Sequence, residues 1–215
     1  MKIKDMIDRV PAAISAGIFI SLGAAVSITV ESPVISALLF TIGLCSVLVF
    51  NADLFTGKCS YLVDSDNSLN YSCYLLVVWL GNLIGCGIIA VFLRCTSFLT
   101  RYQVKVSELL LRKLSLPLFD TLIFGVLCGA LMYIAVDGFN RCKESNPLLG
   151  STCYMLAVVT FILCGFEHCV ADMFYILLDG SVKQEQITFL LTVTAGNLLG
   201  GNFLRLLTPS SEQKK

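Results

Sequence analysis

Residues 150–178 read GSTCYMLAVVTFILCGFEHCVADMFYILL. The run is apolar at both ends and interrupted in the middle by Glu167, His168 and Asp172, three ionisable groups within six residues. Each such group costs roughly 2.5–3.5 kcal/mol at the centre of a membrane helix. A loop that ends a helix does not account for them, because apolar sequence resumes at once over residues 173–178. Backbone that leaves a helix inside hydrocarbon must be buried in protein or line a water-filled cavity. The stretch is therefore read as a broken spanning helix whose polar residues face such a cavity.

Composition agrees with a membrane setting. Of 215 residues, 56% are hydrophobic and 14% are charged, whereas soluble domains carry about a quarter charged residues. A formal net charge of zero gives no electrostatic case for nucleic acid as a partner. Ten cysteines are scattered singly without a CxxC pair, beside one histidine. That pattern speaks against a zinc centre and for thiols as small apolar fillers, so neither metal nor cofactor is expected.

The uncharged runs place six spanning helices in a single domain, at 12–30, 34–51, 75–93, 119–136, 150–178 and 187–205. Lys2, Lys4 and Arg9 make the start resemble a signal sequence, but no polar mature region follows, so the segment is read as a retained first helix. Six spans put both termini on one side of the bilayer. That side carries nine Lys and Arg against six on the other, which favours cytoplasmic termini and an inner-membrane location.

Two segments repeat. Gly81-Asn82-Leu83-Ile84-Gly85-Cys86 matches Gly196-Asn197-Leu198-Leu199-Gly200-Gly201, and each follows a helix with a polar interruption, at 53–56 and 167–168. The intervals are similar, 26 positions from Thr56 to Asn82 and 29 from His168 to Asn197. Three helices per half require the second half to be inserted upside down. Inverted repeats with broken helices are the architecture of transporters and channels. The small-xxx-small pattern alone is common wherever membrane helices pack closely; the shared asparagine and the upstream breaks set this case apart.

The segments Ala52-Asp53-Leu54-Phe55-Thr56-Gly57, Gly165-Phe166-Glu167-His168 with Ala171, and Gly196-Asn197-Leu198-Leu199-Gly200-Gly201 resemble the signatures of the formate/nitrite transporter family. The resemblance spans nearly the whole chain. It implies an all-α, aquaporin-like protomer of six spans assembled as a homopentamer in the lipid bilayer, with one pore per subunit for small monovalent anions and protons. It also implies a gating loop at Leu54, Phe55 and Thr56, a periplasmic constriction at Phe40 and Phe161, and a cytoplasmic constriction residue at Leu44. The pore histidine corresponds to His168, its acidic neighbour to Glu167, the sixth-helix asparagine to Asn197, and a lysine opening the fourth helix to Lys113.

Physical chemistry is compatible with those roles. A bare anion cannot pass a ring of Phe and Leu, because losing its water costs far more than those side chains return, and a proton removes the penalty by making the neutral acid. Lys113 at a helix N-terminus would attract anions by charge and dipole together. His168 has its ordinary pKa near neutrality and is a candidate proton donor or sensor. Two departures from the family pattern stand out: Asp172 replaces the usual asparagine, and Asn51 stands where glycine is common. On a continuing helix Asp172 would share a face with His168. Two other classes fit the sequence less well. An aquaporin-like pore for neutral solutes would carry paired Asn-Pro-Ala motifs, which this chain lacks. A membrane enzyme using Glu167 and His168 would need a nucleophile, metal cluster or phosphate loop beside them.

Overall fold

The computed structural model describes residues 3–209. Lys2, Lys214 and Lys215, which enter the charge count for orientation, lie outside the described residues. The described chain is all-helical. It begins with α1 (Ile3–Asp8) and α2 (Val10–Thr29), then α3 (Pro33–Val49) and the short α4 (Phe55–Lys58), which continues as a 3-10 helix over Cys59–Asp64. It goes on with α5 (Ser68–Arg94), α6 (Ser97–Leu114), α7 (Leu118–Cys142), α8 (Pro147–Leu163), α9 (Cys169–Asp179) and α10 (Gln184–Leu207).

Four continuous helical stretches have the length and hydropathy to cross a membrane: Lys4–Thr29, Ser68–Arg94, Leu118–Cys142 and Gln184–Leu207. The other two apolar helices, α3 and α8, have 17 residues each. At 1.5 Å per residue that is about 26 Å, short of a hydrocarbon core of about 30 Å. Each is followed by a break and a second helix. The run 150–178 consists of two helices, α8 and α9, separated by residues 164–168. α5 starts seven residues before the apolar run that begins at 75, because the Asn67 side chain accepts from the Asn70 N–H and caps it there. α6 is an element that hydropathy does not reveal. Its apolar positions Val106 and Leu110 are buried, while Arg101, Val104, Lys105 and Arg112 are exposed. Such an amphipathic helix packs against the bundle and does not span.

The two breaks are built alike. Asn51 N–H donates to Leu48 C=O at 3.3 Å and Ala52 N–H to Val47 C=O at 2.9 Å; Gly165 N–H donates to Ile162 C=O at 3.1 Å and Phe166 N–H to Phe161 C=O at 2.9 Å. Both sets are the paired bonds of a Schellman motif, which ends a helix through a residue of positive φ. That residue is Gly165 at φ 69° in one break and Asn51 at φ 50° in the other. Asparagine is among the few side chains that adopt this conformation, so it serves in place of glycine.

Two asparagines then satisfy the unwound backbone. Asn82 Oδ1 accepts from Phe55 N–H at 2.9 Å, and its Nδ2 donates to Asp53 C=O at 2.9 Å and Ala13 C=O at 2.7 Å. Asn197 Oδ1 accepts from Cys169 N–H at 2.9 Å, and its Nδ2 donates to Glu167 C=O and Gly125 C=O, both at 2.8 Å. The register of the two breaks differs by two residues from the alignment of Thr56 with His168. The asparagines bind Phe55 and Cys169, so Leu54 occupies in the first break the place that His168 takes in the second. Both asparagines are fully buried. They reach the breaks because glycines bring the helices together. A Cβ on Gly17 would overlap the Asn82 carbonyl, and one on Gly129 the Asn197 carbonyl.

Outside this interior the helices present apolar side chains, among them Ile42, Leu80, Phe92, Leu156, Leu191 and Phe203. An outward surface of this kind suits hydrocarbon rather than water.

Removing either asparagine leaves a break N–H and C=O unpaired, at about 1–3 kcal/mol for each group. Asn82→Ala and Asn197→Ala are therefore expected to lower the thermal unfolding midpoint in detergent, while Leu199→Ala on the exposed face moves it little. Equal midpoints for all three would contradict this account of the breaks.

Candidate functional site

His168 is the N-cap residue of α9, and its side chain accepts from the Ala171 N–H at 3.2 Å through Nδ1. An accepting Nδ1 places the ring proton on Nε2. Nε2–H then donates to Thr56 Oγ1 at 2.8 Å. The two breaks are therefore joined by one hydrogen bond between fully or nearly fully buried residues, Thr56 at 0% exposure and His168 at 2%. Phe161 stacks on the imidazole at 5.6 Å between centroids and 16° between planes. Phe40 meets Phe161 edge-on at 5.9 Å.

These rings close the inner end of a cavity of about 1000 Å³, lined in its depth by Phe40, Phe161, Phe166, Glu167, His168, Asp172 and Tyr175 and at its mouth by Glu31, Lys105, Glu108 and Arg112. Leu44, Leu54, Phe55 and Thr56 are buried and lie outside its lining. Asn197 also lies outside it and holds the break from behind. The structure thus brings His168, Thr56, Phe161 and Phe40 into one contact chain, with Glu167 and Asp172 beside it.

Lys113 differs from the expectation. It does not open the fourth spanning helix; it stands in the last turn of α6, four residues before Pro117. A helix C-terminus presents carbonyls and favours cations, so the dipole helps to hold the lysine and does not help it to attract an anion. Its ammonium forms ion pairs with Glu167 and with Asp172, the latter at 2.9 Å, and lies 5.8 Å from the centre of the Tyr175 ring. The three charged side chains are 13%, 3% and 1% exposed. Asp172 lies one turn after His168 at the start of α9, where its N–H donates to the His168 C=O at 3.0 Å, and its carboxylate turns to Lys113.

The first break carries a parallel arrangement that the sequence does not advertise. Asp53, fully buried, accepts from Arg9 Nε at 2.6 Å and pairs with Lys58 at 3.3 Å. Asp53 and Glu167 sit at the same place in the two breaks, each immediately before the N-cap residue of the second helix, Leu54 and His168. The opposite charge comes from Arg9 at the start of α2 and Lys58 at the end of α4 in the first break, and from Lys113 in the last turn of α6 in the second. Asn202 is a further residue that motif reading passes over. Its amide donates to Cys59 C=O at 2.8 Å and accepts from Val63 N–H at 3.1 Å, which ties α10 to the 3-10 segment.

Apolar spanning helices whose polar groups converge on two buried breaks, under a cavity that dips into the bundle, define a membrane transport protein. Residues 4–210 match the family described as Formate/nitrite transporter, and the chain belongs to that family. The family consists of channels and transporters, so the chain is not an enzyme. It is 27% identical over 216 residues to a "Formate-nitrite transporter" of Entamoeba histolytica, an alignment covering 89% of this chain and 60% of that protein's length. It is 27% identical over 207 residues to the "Nitrite transporter NirC" of Escherichia coli, covering 86% of this chain and 76% of the relative. A solved structure titled "Pentameric formate channel with formate bound" superposes with a TM-score of 0.84 at 22% identity, covering 96% of this chain and 97% of the other. The fold is accordingly that of the family's channels.

Lys113→Met would leave two buried carboxylates facing each other, a change that costs about 3–5 kcal/mol when one partner of a buried pair is removed. The variant is expected to lose folded yield and thermal stability, and adding Glu167→Gln with Asp172→Asn should restore both. A Lys113→Met protein as stable as the wild type would show that these ion pairs do not form.

Proposed function

We propose that this chain forms a channel or proton-coupled carrier for small monovalent weak-acid anions of the formate, nitrite or hydrosulfide class. It works as a homopentamer with one pore per subunit, in the cytoplasmic membrane, with both termini inside the cell. The observation that carries this reading is the buried Nε2–H of His168, offered to Thr56 directly beneath the Phe40–Phe161 pair. A small acceptor reaching this depth can take the place of the threonine hydroxyl on that N–H. Thr56 then turns its own O–H to the same ligand.

The remaining roles follow from position. Phe40 and Phe161 narrow the inner end of the cavity, and Leu44, Leu54 and Phe55 form the apolar continuation beyond it. Asn197 keeps the His168 break open. Through such apolar walls the permeating species is the neutral acid, formed from the anion and a proton. Lys113 is engaged by two carboxylates, so attraction of anions to the mouth falls to Arg112, which lines the cavity, is exposed and forms no ion pair among the described residues.

Proteoliposome uptake of formate, nitrite, hydrosulfide and glycerol tests the reading. Saturable flux of at least one of the anions without glycerol movement is expected. Glycerol flux without anion flux would turn the fold to neutral solutes and withdraw the role of His168. Within the same assay, His168→Asn removes a buried donor whose hydrogen bond to a charged group is worth about 1.5–3 kcal/mol, so anion flux should fall about tenfold or more. Undiminished flux would exclude the histidine from the path.

A further inference from the structure

The cluster of Lys113, Glu167 and Asp172 holds two carboxylates against one ammonium. Glu167 and Asp172 are buried and Lys113 is largely so, and among the described residues both carboxylate oxygens of Asp172 have no hydrogen-bond partner beyond the ion pair with Lys113. Asp172 lines the same cavity as His168. The charged and titratable groups that face it are Lys113 from α6, Glu167 and His168 from the break, Cys169 and Tyr175 from α9, and Cys128 from α7. Arg94 of α5 and Ser107 of α6 engage α9 at its far end, at Leu178 and Asp179. With both carboxylates ionised the cluster therefore carries one uncompensated negative charge, and it carries that charge on the wall that an incoming anion must pass. One proton on either carboxylate makes the cluster neutral, and on Asp172 it turns an unpartnered oxygen into an O–H.

His168 is poorly placed to hold that proton. Its Nδ1 lone pair caps α9 by accepting from Ala171 N–H, so a doubly protonated ring would have to give up the cap. We propose that Asp172 makes anion entry conditional on proton uptake: one proton from cavity water binds the Glu167–Asp172 pair, and only the neutral cluster admits an anion to the His168 site. No other bond changes in this step. An anion about 6 Å from an uncompensated charge, at an effective dielectric constant of about 20, is disfavoured by about a hundredfold, so the proton and the anion favour each other's binding. The inference rests on the anion-channel reading above and assigns its proton linkage to a residue other than the histidine.

The test compares wild type, Asp172→Asn and His168→Asn in proteoliposomes held at the same pH inside and outside, with formate as the probe. The ratio of variant to wild-type flux cancels the ionisation of formate itself. For Asp172→Asn that ratio should be near one at about pH 5 and rise to about tenfold or more at about pH 8, the range over which a proton-linked step is read. Glu167→Gln, which also removes the excess charge, should behave in the same way. For His168→Asn the ratio should be low and flat. A flat ratio for Asp172→Asn, or a pH dependence removed by His168→Asn alone, would overturn the proposal. Infrared difference spectra of the same three proteins give a readout independent of transport. A carboxylic-acid carbonyl band that disappears between about pH 5 and 8 in wild type and is missing from Asp172→Asn is expected, and its absence from wild type would overturn the proposal. If no protein moves any anion, the function proposed above fails, and the infrared band alone decides whether the pair holds a proton.

Discussion

A peptide group in the hydrocarbon interior has no water to bond with, so every unwound residue there needs a partner from the protein itself. Asn82 and Asn197 meet that demand, each with an accepting oxygen and one N–H directed at a break and the second N–H at a carbonyl of the adjacent helix, Ala13 or Gly125. Much else is arranged around them. Glycines on α2 and α7 let α5 and α10 come close enough for the amides to reach. Left-handed residues at Asn51 and Gly165 stop the preceding helices at equivalent points. The breaks so held carry Asp53 and Glu167 into the interior, where Arg9, Lys58 and Lys113 offset their charge. His168 and Thr56 then meet across the gap between the two halves.

α6 gives the cavity its chemical character. It is amphipathic, lies against α9 and ends in Lys113, which it delivers sideways into the bundle between two carboxylates. The same helix lines the mouth with Lys105, Glu108 and Arg112. On the proposed route, which starts among exposed charges, passes a buried charge cluster and ends at stacked aromatic rings, an anion would lose hydration at each stage. Those rings are the steepest part, because an aromatic wall offers nothing in exchange for the last waters.

Much of this was legible in the sequence, for reasons that can be stated residue by residue. The polar interruption at 167–172 and the shared asparagines stand out because charged and amide side chains are costly in hydrocarbon and need a cause. The all-α membrane fold and the family followed from them. α6 was not legible, since eighteen residues containing five charged side chains read as a connection when only hydropathy is followed; their 3.6-residue periodicity was the available signal. The partners of Lys113 were not legible either. Nothing in the local sequence links position 113 to positions 167 and 172, and the position of the lysine at the end of a helix rather than at the start of one reverses the sense of the dipole. The pairing of Arg9 with Asp53 is tertiary in the same way. The register of the breaks is two residues from a Thr56–His168 alignment because those conspicuous side chains flank the bonded backbone groups on opposite sides, Thr56 after Phe55 and His168 before Cys169.

The account holds that an anion crosses the Phe40–Phe161–His168 region only as its neutral acid. The measurement that tests this most directly is formate uptake into proteoliposomes carrying an internal pH dye, with the membrane potential clamped at several values. The account predicts one proton entering with each formate, read as internal acidification above that of empty liposomes, and an uptake rate indifferent to the potential. Uptake that follows the potential without acidification would mean that the bare anion passes the aromatic rings, and would contradict it.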